Sequence, residues 1–103
     1  MKKSKNLEEI EKYRQAIDHI DAELLQLLGK RFELSKKIAS HKHSEGLPIH
    51  QEAREKEILG KRLKEGREKG LSDAFVTSLF QAIFFHSKEK QKEPGAFDNS
   101  SKI

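Results

Sequence analysis

The apolar positions of the first forty residues follow a helical repeat that polar residues interrupt five times. From Ile10, alternating steps of four and three give Ile10, Arg14, Ile17, Asp21, Leu24, Leu28, Arg31, Ser35, Ile38 and Lys42. That spacing puts all ten on one face of an α-helix. The aliphatic members predict that this face is packed. Arg14, Arg31 and Lys42 then lie where an unpaired charge is costly, and they call for an anionic partner. The chain has few well-placed carboxylates to offer, so a bound polyanion is the sharper expectation. The first helix is predicted from about Leu7 to Lys42, with Asn6 as N-cap and Gly29 as its only glycine.

Two shorter helices complete the reading. His43 to Ile49 carries Gly46 and Pro48 and reads as a loop. A second helix starts near His50 or Gln51, carries Ile58, Leu59 and Leu63, and ends between Gly66 and Gly70. Ser72 is the expected N-cap of a third helix, with Asp73 in its first turn. Val76, Leu79, Phe80, Ile83 and Phe84 form its apolar stripe, and Pro94 with Gly95 ends it. No stretch alternates like a strand, and no internal repeat is visible. The expected fold is all-α with three helices. Residues 1–6 are expected to be a flexible end, 7–92 the helical domain and 93–103 a disordered tail.

Composition bears on assembly and partners. The chain has 103 residues, of which 37% are charged and 34% hydrophobic, which is thin for a monomeric core. An elongated helical protein that completes its core by oligomerising fits better. Without cysteine there is no disulfide, thiolate ligand or thiol nucleophile. His41 and His43 point to different sides of a helix, so no metal site is expected. No apolar run reaches the roughly 18 residues of a membrane span, and residues 1–9 are too polar for a secretory signal. The expected location is therefore cytoplasmic. The net charge of +4 raises nucleic acid as a partner. Acids and bases are interleaved along most of the chain, as on solvated helix faces, and Lys2-Lys3 and Lys88–Lys92 lie near the ends, so no nucleic-acid site is expected.

Helical geometry points to two chains. Arg14 and Arg31 are 17 positions apart, roughly 25 Å along a continuous helix. No small metabolite spans that distance, so a ligand bound by both takes one of them from a second chain. Arg31 and Lys42 stand only about three turns apart on nearly the same face. On the third helix Ser87 and Gln91 continue the stripe of Val76, Phe80 and Ile83, a pair of neutral hydrogen-bonders in place of aliphatics. On the second, Glu55 is in register with Leu59 and Leu63. The inward polar set is thus Arg14, Arg31, Lys42, Glu55, Ser87 and Gln91, a cationic pocket with one carboxylate.

Each of these residues also has a plainer reading. Arg14 and Arg31 can snorkel and pair across a helical dimer. Lys42 can complement the C-terminal end of a helix dipole, and Glu55 the N-terminal end of another. Ser87 and Gln91 lie near a fraying terminus. Asp21 suits a structural ion pair.

The conjunction nevertheless resembles the small all-helical type of chorismate mutase, over about residues 7 to 92. The stretches that carry the resemblance are YRQAIDHIDAELLQLLGKR around Arg14, Ile38 through Lys42, PIHQEAREKEIL from Pro48, GLSDAFVTSLFQAIFFHS from Gly70, and Gln91. The resemblance implies an intertwined homodimer with two active sites, chorismate as substrate, and no cofactor. It implies that Arg14 of the other subunit and Arg31 bind the two carboxylates, while Lys42 holds a carboxylate and the ether oxygen. Gln91 would donate to the same ether oxygen, Glu55 would accept from the ring hydroxyl, and Ser87 would touch the ring carboxylate. Arg54 would act as an electrostatic partner near the substrate. Gln51 departs from the family pattern, since similar enzymes often carry aspartate there, near the substrate hydroxyl.

The implied reaction, the [3,3] rearrangement of chorismate to prephenate, suits these residue types. It needs no nucleophile, metal or proton transfer, only a held conformation and stabilised charge on the ether oxygen. Three alternatives remain: an isochorismate-pyruvate lyase of the same fold, which as a family lacks the acid at the position of Glu55, a mutase for an amino-substituted chorismate, and a helical dimer that binds a partner without turnover.

Overall fold

The computed structural model describes residues 4–47 and 51–92. Three helices account for nearly all of them: α1, Lys5–Ser44, α2, Glu52–Glu68, and α3, Asp73–Gln91. Among the described residues there is no strand, and no helix is long and apolar enough to cross a membrane. The chain divides into two units, residues 1–31 and 32–103, with α1 contributing to both.

The helix ends follow from local chemistry. Ser4 caps α1, its Oγ accepting from the Leu7 amide at 3.1 Å. The expected cap, Asn6, therefore lies inside the first turn, and the start moves from Leu7 to Lys5. The Ser4 hydroxyl, two residues earlier, takes the Leu7 amide, so the capping role falls to Ser4 and not to Asn6. At the other end the Leu47 amide donates to Lys42 O at 2.7 Å and the Gly46 amide to His43 O at 3.1 Å. These are the two bonds of a Schellman stop. They require a left-handed residue, and Gly46 supplies φ +72°. The same stop closes α2: Leu71 donates to Gly66 O and Gly70 to Arg67 O, with Gly70 at φ +79°.

At the start of α3, Ser72 is the cap expected from the sequence, its Oγ accepting from the Phe75 amide at 3.1 Å. Arg67 Nε and Nη2 donate to the two Asp73 carboxylate oxygens, each at 2.9 Å, and pin the α2–α3 connection. That guanidinium holds the Asp73 carboxyl below its usual range. Pro48 and Ile49 of the expected loop, His50 as an expected start of the second helix, and Pro94, Gly95 and the expected tail lie outside the described residues.

The 32–103 unit has a small apolar core of Ala39, Ile58, Val76, Ile83 and Phe84. Helices α2 and α3 pack antiparallel: Gln51 meets Gln91 at one end, and Gly66 lies against Val76 at the other. A Cβ built on Gly66 would stand 2.7 Å from Val76 Cγ2, so the approach needs glycine. In this unit Ser35, Ala39 and Lys42 are the inward residues of α1, while Ile38, expected on the packed face, is 53% exposed. The buried position at this turn is Ala39, one residue beyond the expected Ile38 and 0% exposed, while Ser35 and Lys42 of the expected stripe are half-buried.

Among the described residues the 1–31 unit is a single stretch of helix. Of its expected apolar seam, Ile10, Ile17 and Leu24 are 43–54% exposed.

Candidate active site

The 32–103 unit brings together polar side chains from all three helices. At the centre is Gln91, on the last turn of α3 and only 3% exposed. Its Nε2 donates to Ser35 Oγ at 3.1 Å and to Ser35 O at 3.2 Å on α1. Its Oε1 accepts from Gln51 Nε2 at 2.9 Å, at the start of α2. Both acceptors of Nε2 belong to Ser35, so one N–H can serve them as a three-centre bond, leaving the other for a ligand.

One turn before Gln91 on α3 lies Ser87, 4% exposed, which the i,i+4 spacing stacks beside it. One turn after Gln51 on α2 lies Glu55, half-buried, with Oε2 3.1 Å from Lys88 Nζ. The two cross-links, Gln51–Gln91 and Glu55–Lys88, tie the first turn of α2 to the last turns of α3. Lys42 is seven residues beyond Ser35 on α1, two turns or roughly 10 Å along the same helix face. It is half-buried, and among the described residues no carboxylate lies within salt-bridge range of it. The edge of Phe32 against the His86 ring, centroids 4.5 Å apart, adds a second tie between α1 and α3 close by.

Among the residues expected from the sequence, Lys42, Gln51, Glu55, Ser87 and Gln91 thus belong to one unit, with direct bonds or shared helix faces linking them. Arg54 is 58% exposed and donates to Glu57 Oε1 at 2.6 Å, so its guanidinium is turned along α2. Arg14 and Arg31 belong to the 1–31 unit. Arg14 is exposed, with Nη1 3.9 Å from Glu11 Oε1, and Arg31 is half-buried with a partner of its own.

Two residues of the cluster were not picked out from the sequence. Ser35 was placed on the seam but not in the pocket. Its signal was present, as a hydroxyl on the same face as Lys42. Lys88 was assigned to the basic end of the chain, and nothing local marks it as the partner of Glu55, 33 positions away. Among the described residues no group of histidines or carboxylates could hold a metal ion.

The arrangement offers a buried amide donor, an unpaired ammonium along the face that holds it, a carboxylate already carrying one cation, and a buried hydroxyl. It can position and polarise an anionic ligand.

Comparison with known proteins agrees with this chemistry. The family of type II chorismate mutases matches residues 13–92, and the chain belongs to that family. It is 44% identical over 62 residues to a bifunctional chorismate mutase/prephenate dehydratase of Aquifex aeolicus, covering 60% of this chain and 17% of that protein. It is 32% identical over 89 residues to the T-protein of Haemophilus influenzae, covering 86% of this chain and 24% of the other. The chain thus spans about a fifth of the length of these relatives. An isochorismate pyruvate lyase of Pseudomonas aeruginosa is 36% identical over 80 residues, 77% of this chain and 78% of that one. No solved structure matches the chain significantly.

Proposed function

We propose that the chain is a chorismate mutase, converting chorismate to prephenate in aromatic amino acid biosynthesis. The observation that carries the reading is Gln91. A neutral amide is buried and held by two other side chains, on the helix face system that also presents Lys42. Such a group is of use to a reaction that develops negative charge on an oxygen and transfers no proton.

In the rearrangement, the ether C–O bond of chorismate breaks as a C–C bond forms within the same molecule. The site lowers the barrier in two ways. It holds the substrate in its compact shape, and it stabilises the charge that collects on the ether oxygen. Lys42 and the second N–H of Gln91 supply that stabilisation. Arg31, Lys42 and Ser87 hold carboxylates. Glu55 accepts from the ring hydroxyl through the oxygen that Lys88 leaves open. Gln51 stands at the same end of the site, and Arg54 contributes through its field.

The complete site needs a second chain. Two chains pair along α1, and each site takes Arg14 from its partner. The exposed seam of Ile10, Ile17 and Leu24 supports pairing, since a helix of this kind is held by packing rather than by propensity. The 17 positions between Arg14 and Arg31 support the sharing.

The test is to incubate the purified protein with chorismate and, in parallel, with isochorismate, and to identify the products. Prephenate from chorismate is the expected result. Salicylate and pyruvate from isochorismate alone would transfer the reading to lyase chemistry, for which the similarity to the Pseudomonas aeruginosa protein is the supporting observation.

A further inference from the structure

A glutamine amide has two nearly isosteric orientations, and only one offers an N–H to the ether oxygen. In this protein the orientation of Gln91 is determined from both ends. A backbone carbonyl can only accept, so the atom facing Ser35 O must be Nε2. Oε1 then faces α2, where it needs a donor, and Gln51 Nε2 provides one at 2.9 Å.

Gln51 is well placed to do this. It is the N-cap of α2, yet its side chain makes no capping hydrogen bond. The position forgoes the usual stabilisation of a cap, and its amide reaches across to α3 instead.

From this geometry we propose that Gln51 is a positioning residue that fixes the amide of Gln91 with its donor end available to the reacting oxygen. It acts through Gln91 and rests on the mutase reading above. A group at position 51 that donates a hydrogen bond keeps Gln91 in the working orientation. A side chain of the same length that only accepts sets a negative oxygen against Oε1 and favours the flipped amide, which presents a lone pair to an oxygen gaining charge; an aspartate is one methylene shorter than the group that makes this 2.9 Å contact.

Gln51→Glu is nearly isosteric and tests this directly. Its carboxyl donates when protonated and only accepts when ionised. Charged groups on the surrounding elements include Glu52 and Glu55 on α2, Lys88 and Lys92 at the end of α3, and Lys36 and Lys42 on α1, and they are the same in Gln51→Leu, which controls for their titration. Two readouts are needed: kcat for chorismate from mildly acidic to weakly alkaline pH, and the side-chain amide signals of Gln91 by NMR over the same range. In Gln51→Glu, kcat is expected to fall about tenfold or more at the alkaline end, the loss associated with one misplaced charged hydrogen-bonding group. It should recover toward the parent value as pH falls, with the Gln91 signals moving through the same titration. Gln51→Leu should lose activity without that pH dependence. If the parent is active and the Gln51→Glu rate follows the parent's at every pH, the proposal is overturned. If the parent turns over no chorismate, the mutase reading fails, and the amide signals alone decide whether Gln51 orients Gln91: a shared titration supports it, and unmoved signals overturn it.

Discussion

Lys88 Nζ lies 3.1 Å from Glu55 Oε2, so the one carboxylate of the candidate site is already half neutralised by a cation from the facing helix. The pair is unequal in exposure: the Glu55 side chain is 18% exposed and that of Lys88 49%. A dianionic ligand approaching Glu55 alone would be repelled. Beside Lys88 it meets a smaller opposing charge.

Replacing Lys88 by alanine should therefore raise KM for chorismate more than it lowers kcat. A partly exposed pair is worth about 1 kcal/mol, which corresponds to roughly a fivefold change. The effect should shrink as salt is added. Steady-state kinetics at two ionic strengths check it, and an unchanged KM would mean that Lys88 does not shape the charge at Glu55.

Lys42 is expected to be indispensable to the rate and dispensable to the fold. Its side chain pairs with no described carboxylate, so its removal leaves no orphaned partner among the described residues. Lys42→Ala should keep the helical circular dichroism of the parent and lose about 100-fold or more in kcat, as expected when one preorganised donor to a developing oxyanion is removed.

Gly66 and Gly60 should respond in opposite directions to the same substitution. A Cβ on Gly66 meets Val76 Cγ2 at 2.7 Å, whereas one on Gly60 meets nothing within 4 Å. Gly66→Ala should destabilise by about 1–3 kcal/mol through overpacking, and Val76→Ala in the same chain should recover part of the loss. Gly60→Ala should stabilise by about 0.5–1 kcal/mol, because glycine is costly inside a helix. Thermal melts of the three variants distinguish the cases.

Much of this architecture was legible in the sequence, and the exceptions have a common cause. Ser72 could be read as a cap because a hydroxyl followed by an acid and an apolar run is a local signal, and capping is local chemistry. Gly70 was legible for the same reason. At the first helix the sequence points to Asn6 as the cap, whereas Ser4 holds that place: both residue types cap well, and choosing Asn6 passed over the hydroxyl two positions earlier. The inward position of Gln91 was visible in its register with Val76, Phe80 and Ile83. Its bonds to Ser35 and Gln51 were not, because they join positions 56 and 40 residues away. Ile38 was placed on the packed face by strict alternation of fours and threes. In the 32–103 unit the buried position there is Ala39, one residue beyond.

The Arg67–Asp73 bridge sets an acid limit on the α2–α3 connection. The folded carboxyl of Asp73 is held below its usual range, first by the hydrogen bond from Arg67. Such a group contributes stability in full above the ordinary carboxylate range and loses it as pH falls through the lowered folded value. The difference in melting temperature between the parent and Asp73→Asn should therefore be present at neutral pH and vanish in acid. A difference that grows in acid would contradict the assignment.

If the buried amide of Gln91 serves the rearrangement of chorismate, removing it slows that reaction without unfolding the chain. The most direct measurement is the rate of prephenate formation from chorismate by the parent chain and by Gln91→Leu, both shown to be folded by circular dichroism. Prephenate is expected from the parent, with a loss of about 100-fold or more in kcat for the variant. Equal rates from the two, or no prephenate from a folded parent, would contradict this role of Gln91.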